Sequence, residues 1–240
     1  MKKIKNIIEL KEIIDKSQSI VLVNKTKLGL SNLHMIEEEY NQANKTSLKK
    51  FLSKQFFYNQ PKIFFENYKK YIFGNNFLFN FDYLKKLEKQ GKLKNIIDLN
   101  IDGIFTLKGF NNVIQLYGDI HKNYCIKCHK EFSLNYIKEY IGTVRCDLCN
   151  GLVKPNVTLP NEIILKSLLE KALFAIEKAD LLLMLETPIN NYPISNFIIS
   201  SKKTLLITDK RTSKDIYLDY IYYADVLETL AKLNKKEVRK

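Results

Sequence analysis

No stretch of this 240-residue sequence is apolar for long enough to cross a bilayer. Its basic opening is interrupted by Glu9, Glu12 and Asp15 before a signal-peptide core can form. A soluble, cytoplasmic protein is expected. There is no internal repeat and no linker rich in Pro, Gly or Ser, so any second module must be an insertion within one compact body. Cysteine is scarce and localised: all four lie between positions 125 and 149 in two close pairs, which suits thiolate ligands in a reducing compartment better than a secreted disulfide framework.

What is abundant is apolar residues, 45% of the chain, enough for a continuous core, and positive charge, formally +13. Such a charge can attract nucleic acid, an anionic membrane or an acidic protein. Here the lysines are scattered over helical stretches such as Lys85, Lys86 and Lys89 to Lys94, with a basic tail from Lys232 to Lys240. No basic stripe is interleaved with exposed aromatics, so a solvated surface is expected rather than a nucleic-acid site.

Residues 4 to 16 carry isoleucine and leucine at helical spacing, and the run Ile20-Val21-Leu22-Val23 is short and β-branched, as in a buried parallel strand. Residues 31 to 90 read as helical, with Pro61 in a first turn, Ile63, Phe64, Phe65 and Tyr68 at helical spacing, and Gly91 closing the helix that holds Leu84 and Leu87. Further short apolar runs follow at Ile96-Ile97, Val113 to Leu116, Leu181 to Leu185 and Thr204 to Ile207, with Tyr220 to Tyr223 as an edge strand. Helices alternate with them, the clearest over Glu162 to Ala179. The pattern predicts an α/β fold with a doubly wound, mostly parallel sheet.

Cys125-x2-Cys128 and Cys146-x2-Cys149, seventeen residues apart, have the spacing of two knuckles closing on one tetrahedral zinc ion. Redox pairs or free structural thiols are the alternatives. Four thiolates leave no open coordination position, so the zinc would be structural. His129, beside Cys128, is expected to face solvent.

The runs Asn95-Ile-Ile-Asp-Leu-Asn-Ile-Asp-Gly103, Asn112-Val-Ile-Gln-Leu-Tyr-Gly118, Asn123-Tyr-Cys-Ile-Lys-Cys128 and Arg145-Cys-Asp-Leu-Cys-Asn-Gly-Leu-Val-Lys-Pro155 resemble, in order and spacing, the core of the sirtuin family. The likeness implies a Rossmann-like large domain from 1–30, 76–118 and 156–240, a helical insert over 31–75 and a zinc-ribbon module over 119–155. It also implies transfer of an acyl group from a protein lysine to the ADP-ribose of NAD. Under it, Asn100 and Asp102 would position the nicotinamide ribose and carboxamide, Thr187 would contact the nucleotide and Val157 the acyl-lysine side. Without the resemblance, Asn100-Ile-Asp-Gly103 is a polar turn satisfying its own backbone.

Departures from the family pattern are numerous. Tyr117 stands at the position of the histidine base, and a phenol with a reference pKa of about 10 is a poor base at neutral pH. His121, four residues on, is expected at the surface near the ribbon, and His34 on a helix. Lys25 and Lys27 occupy the likely glycine positions of the phosphate turn, where side chains obstruct the approach of backbone amides. Leu99 replaces a glutamine, Glu186-Thr187-Pro188 a Gly-Thr-Ser loop, Thr208 an asparagine and Pro160-Asn161 a Phe-Gly pair, although Glu162 persists. The expectation is weak NAD binding, absent or strongly reduced deacylase activity, and a ligand-sensing or protein-binding role with an acylated or acidic protein partner. An active enzyme with a modified nucleotide pocket, catalysing deacylation, ADP-ribosyl transfer or NAD hydrolysis, is the alternative.

Overall fold

The computed structural model describes residues 1–26, 48–72 and 80–235. His34, Lys27 and Gly29 lie outside them.

The chain opens with a two-residue strand, β1 (Lys2–Lys3), followed by α1 (Ile7–Lys16). Asn6 starts that helix because its side chain accepts from the amides of Ile8 and Glu9, which have no partner inside the first turn. Next come β2 (Ile20–Asn24), short helices α2 (Leu48–Phe51) and α3 (Lys54–Asn59), α4 (Pro61–Ile72) and α5 (Asp82–Lys89). Gly91 has a φ of 68° after α5, and the amides of Gly91 and Lys92 return to the carbonyls of Glu88 and Leu87. The expected glycine stop is therefore present.

The middle of the chain forms β3 (Leu93–Asp98), α6 (Ile104–Leu107), β4 (Val113–Gln115), β5 (Gly118–Cys125), β6 (Glu131–Ser133), α7 (Leu134–Glu139) and β7 (Val153–Val157). The remainder is α8 (Lys166–Lys178), β8 (Leu181–Leu185), α9 (Ile194–Ser200), β9 (Thr204–Thr208), β10 (Tyr220–Tyr223) and α10 (Val226–Asn234).

Among the described residues, seven strands form one parallel sheet in the order β1-β10-β9-β8-β2-β3-β4. From β2 the chain winds outward through β3 and β4, and later through β8, β9 and β10 on the other side. The direction of winding reverses between β2 and β8, the place where doubly wound sheets open a crevice at the carboxyl ends of their strands. Every residue of β2, β8 and β9 is buried, as a sheet covered on both faces requires. Leu10, Ile14, Leu84, Leu87, Leu230 and Leu233 cover one face, and Ala172, Ile176, Ile194 and Phe197 the other.

Two expectations are corrected. Tyr220 to Tyr223 is not the edge, because Lys2 and Lys3 pair outside it. The late helix begins at Lys166 rather than Glu162, since the Glu162 carboxylate accepts from the Leu159 amide and pairs with Lys154, which holds the preceding residues in a turn.

A second, antiparallel sheet, β6-β5-β7, carries the cysteines. It shares a core with α3 and α4: Phe57, Phe64, Phe65 and Tyr68 join Ile120, Phe132, Ile137, Val153 and Leu159. The ring of Phe64 lies 5.1 Å from Phe57 and 5.3 Å from Phe65 edge-on, and is stacked on Tyr68 at 5.6 Å. Phe64→Ala is expected to cost about 3–5 kcal/mol in denaturant unfolding, the usual loss for a buried phenylalanine. A loss below about 1 kcal/mol would show that α4 packs loosely against the ribbon.

Candidate functional site

The crevice at the switch point is built on the ends of β2, β3 and β8. Across it, the Lys25 amide donates to Leu185 O at 3.0 Å, and the Thr187 hydroxyl donates to Val23 O at 3.2 Å and shares Leu185 O at 3.1 Å. Thr187 is buried, with its hydroxyl engaged by backbone.

Beneath the crevice lies a buried polar cluster. Asn24 donates through Nδ2 to Asp98 Oδ1 at 3.0 Å and accepts from both the amide and the hydroxyl of Thr26. Lys25 is exposed over much of its surface, with its ammonium donating to Leu99 O at 3.0 Å, and the half-buried Asn100 donates through Nδ2 to Thr26 O at 2.8 Å. Asp102 is fully buried and accepts the Ile104 amide at the start of α6. Burial lowers the Lys25 pKa, while the charges of Asp98 and Asp102 act to raise it.

Asp98 is the member that sequence reasoning missed. Its Oδ2 is buried without a hydrogen-bond partner. Desolvation, then the charge of Asp102, pushes its carboxyl up to about 7, against the bonds from Asn24 and Asn100 and the charge of Lys25. The clue was an acid closing the apolar run Ile96-Ile97, where an end-of-strand carboxylate has to meet its polar partners in a dry place.

Tyr117, by contrast, is half-buried against the α8 and α9 face of the sheet. Desolvation, then the proximity of Tyr192, raises its pKa above the ordinary phenol value. Leu99 is buried. Glu186 adopts a left-handed backbone with φ of 45°, so the glycine-type conformation persists at a position now occupied by glutamate. Thr208 is buried and its hydroxyl accepts the Lys210 amide. His121 is not simply a surface residue near the ribbon: its Nε2 lies 3.1 Å from Asp102 O, and the Ile120 amide donates to Ile101 O. The first strand of the ribbon is thus seated on the Asn100-Ile-Asp-Gly103 turn. Val157 is buried at the end of β7, its amide-linked neighbour Thr158 donating to Tyr117 O at 2.8 Å.

The cysteines converge. All four sulfurs lie within 4.8 Å of one another, with Cys125 and Cys149 at 3.4 Å and Cys128 and Cys146 at 3.6 Å. A tetrahedral ion with Zn–S bonds of about 2.3 Å separates its sulfurs by about 3.8 Å, so the set fits zinc closely. The two knuckles are alike: His129 and Asn150, each following the second cysteine of its pair, adopt φ of 60° and 57°, and their amides return to Cys125 O and Cys146 O. His129 is exposed there. A Cβ on Gly151 would lie 2.7 Å from the Cys125 sulfur, so only glycine lets that strand pass the cluster.

Comparison with known proteins agrees with this arrangement. The profile described as "Sir2 family" matches residues 34–193. The chain belongs to the Sir2 family. It is 36% identical to an NAD-dependent protein deacetylase of Clostridium acetobutylicum over 92% of this chain and 96% of that one. Another from Clostridium perfringens is 32% identical, with 94% and 97% covered. Among solved structures, a sirtuin from work on substrate affinity has a TM-score of 0.79 at 22% identity, covering 96% of this chain and 98% of that one. A Sir2 with a p53 peptide and NAD+ has a TM-score of 0.78 at 23% identity, covering 95% and 97%. At those identities the structural likeness is one of fold.

Two outcomes follow from this geometry. Metal analysis of the reduced protein is expected to find one zinc per chain, and each Cys→Ser variant at 125, 128, 146 or 149 to lower the Tm by several degrees, as each 1 kcal/mol is worth roughly 2–4 °C in a chain of this size. Zinc-free protein, or unchanged melting in all four variants, would contradict it. For Asp98, the folded chain holds the carboxyl proton more tightly than the unfolded one. Its ionisation therefore costs no stability below about pH 4 and costs progressively more up to about pH 7, about 4 kcal/mol in all. Asp98→Asn keeps the acceptor for Asn24 and Asn100 without that cost. Urea unfolding should show the variant gaining about 2–3 kcal/mol on the native chain between pH 5 and pH 8. A pH-independent difference would mean that Asp98 titrates as an ordinary acid.

Proposed function

We propose that this Sir2-family chain binds NAD only weakly, has deacylase activity that is absent or strongly reduced, and acts as a ligand-sensing or protein-binding module with an acylated or acidic protein partner. The observation that carries the proposal is the bond from the Lys25 ammonium to Leu99 O. In place of a glycine turn whose amides face a dinucleotide, the end of β2 sends an ammonium beneath the crevice to Leu99 O. The resemblance assigns Asn100 and Thr187 to the nucleotide, yet the Asn100 amide is engaged by Thr26 O and the Thr187 hydroxyl by Val23 O and Leu185 O. Tyr117 supports the same reading, because a phenol held above its ordinary pKa stays protonated at neutral pH and offers a ribose hydroxyl no base of the kind a neutral imidazole provides. An acylated partner is supported by a Sir2 of the same fold bound to acetylated peptide.

The resident metal in this reading is structural. Cys125, Cys128, Cys146 and Cys149 would hold it, closing the ribbon that seats His121 and Ile120 on the Asp102 turn. NAD, where it binds, would supply an electrophilic ribose carbon for attack by an acyl oxygen, with nicotinamide as the leaving group. Asp102 remains fixed by the Ile104 amide whatever occupies the crevice.

A second reading, an active NAD-dependent deacylase, ADP-ribosyltransferase or NAD hydrolase with a modified pocket, is favoured by the names of the Clostridium relatives at 36% and 32% identity. NAD affinity separates the two. Two lost contacts of about 1.4 kcal/mol each weaken binding roughly a hundredfold, so calorimetry is expected to give a Kd no tighter than about 100 μM. A low-micromolar Kd would favour the second reading. Tyr117→His alone is expected to leave acetylated and longer acylated peptides near background, although a general base is worth about 10²–10⁴ where the pocket is intact. Adding Lys25→Gly and Glu186→Gly should restore NAD binding at least. Robust NAD-dependent deacylation by the single variant would show that the pocket is whole.

A further inference from the structure

A cavity of about 620 Å³ lies away from the nucleotide crevice, between the free edge of the large sheet at β4, the ribbon strands β5 and β7, and the start of α8. Four lysines line it, Lys54, Lys122, Lys154 and Lys171, with one carboxylate, Glu162. That carboxylate is already neutralised: it pairs with the buried Lys154 at 3.1 Å and accepts the Leu159 amide at 2.9 Å. Lys154 in turn donates to Val157 O at 3.0 Å and Pro155 O at 3.3 Å, so the pair forms a closed local unit.

What remains is an excess of positive charge and donors. Lys54, Lys122 and Lys171 are exposed and have no acidic partner among the described residues. The Nε2 of Gln115 points into a buried place with no acceptor, a condition that costs free energy unless a ligand or water relieves it. Desolvation lowers the Lys154 pKa against the raising effect of its Glu162 partner, and the charge of Lys54 lowers it further.

We propose that this cavity binds a small multivalent oxyanion, of phosphate or carboxylate type, through Lys54, Lys122 and Lys171 and the amide of Gln115. Its volume falls within the range of small-molecule sites, and three lysines in one lining suit an anion with several oxygens. The walls formed by the ribbon strands and α8 select a compact ligand over a polymer. The site does not depend on NAD binding.

Calorimetry with inorganic pyrophosphate and with propane-1,2,3-tricarboxylate tests it on the full chain. The native protein is expected to bind at least one of them saturably, one to one. Pyrophosphate preference would identify a phosphorylated ligand and tricarboxylate preference a polycarboxylate. The double variant Lys54→Gln/Lys171→Gln should weaken binding about tenfold or more, because each lost charge-assisted contact weakens it severalfold. Lys86→Gln/Lys89→Gln, which removes the same charge from an exposed helix face, should change it less than about twofold. Failure of both probes to bind saturably would overturn the proposal. So would equal losses in the two double variants, which would mean diffuse attraction, or a loss confined to Lys25→Ala, which would place the anion in the nucleotide crevice.

Discussion

The polar cluster under the switch point is the constraint on which the site depends. Where β2 ends, the parallel sheet must hand its last carbonyls and amides to something, and here the partners are internal: Asn24 to Asp98, Lys25 to Leu99 O, Asn100 to Thr26 O. A buried carboxylate such as Asp98 is tolerable only while its neighbours compensate it. That requirement fixes the loop at the point where a dinucleotide-binding fold normally leaves its backbone amides free for phosphate.

The ribbon is tied to the same place. Its first strand begins on the Asn100 to Gly103 turn through Ile120 and His121, and its far side packs on Phe57, Phe64 and Tyr68. A zinc ion held by the four cysteines would close the far end of β5 at Cys125, the strand whose beginning, at Ile120 and His121, rests on the turn that carries Asp102.

Much of the fold was legible in the sequence because buried parallel strands leave nearly uninterrupted aliphatic runs, as at Ile20 to Val23 and Leu181 to Leu185. The Cys-x2-Cys pairs were legible for a different reason, since tetrahedral ligation dictates spacing. Lys2 and Lys3 gave no sign of a strand because both side chains are exposed and their pairing is carried by backbone alone. The start of α8 was misplaced because a tertiary ion pair, Glu162 with Lys154, overrides helical propensity. Direction was the other blind spot. Lys25 could be read as a phosphate attractor from its position in the loop, but whether an ammonium faces the crevice or the carbonyl beneath it depends on Leu99, Asp98 and Asp102, which sit some seventy residues away.

At the crevice floor the side chains of Asn24, Lys25, Asn100 and Thr187 spend their hydrogen bonds within the chain. Amide hydrogen exchange over residues 20–26 and 98–104, followed during titration with NAD, tests it directly, since a dinucleotide seated on the β2 turn would shield those amides. The account predicts protection factors that change by less than about twofold up to roughly 100 μM NAD. Protection that rises steeply and saturates at low micromolar NAD would show that the loop opens to the nucleotide and that Lys25 does not close it.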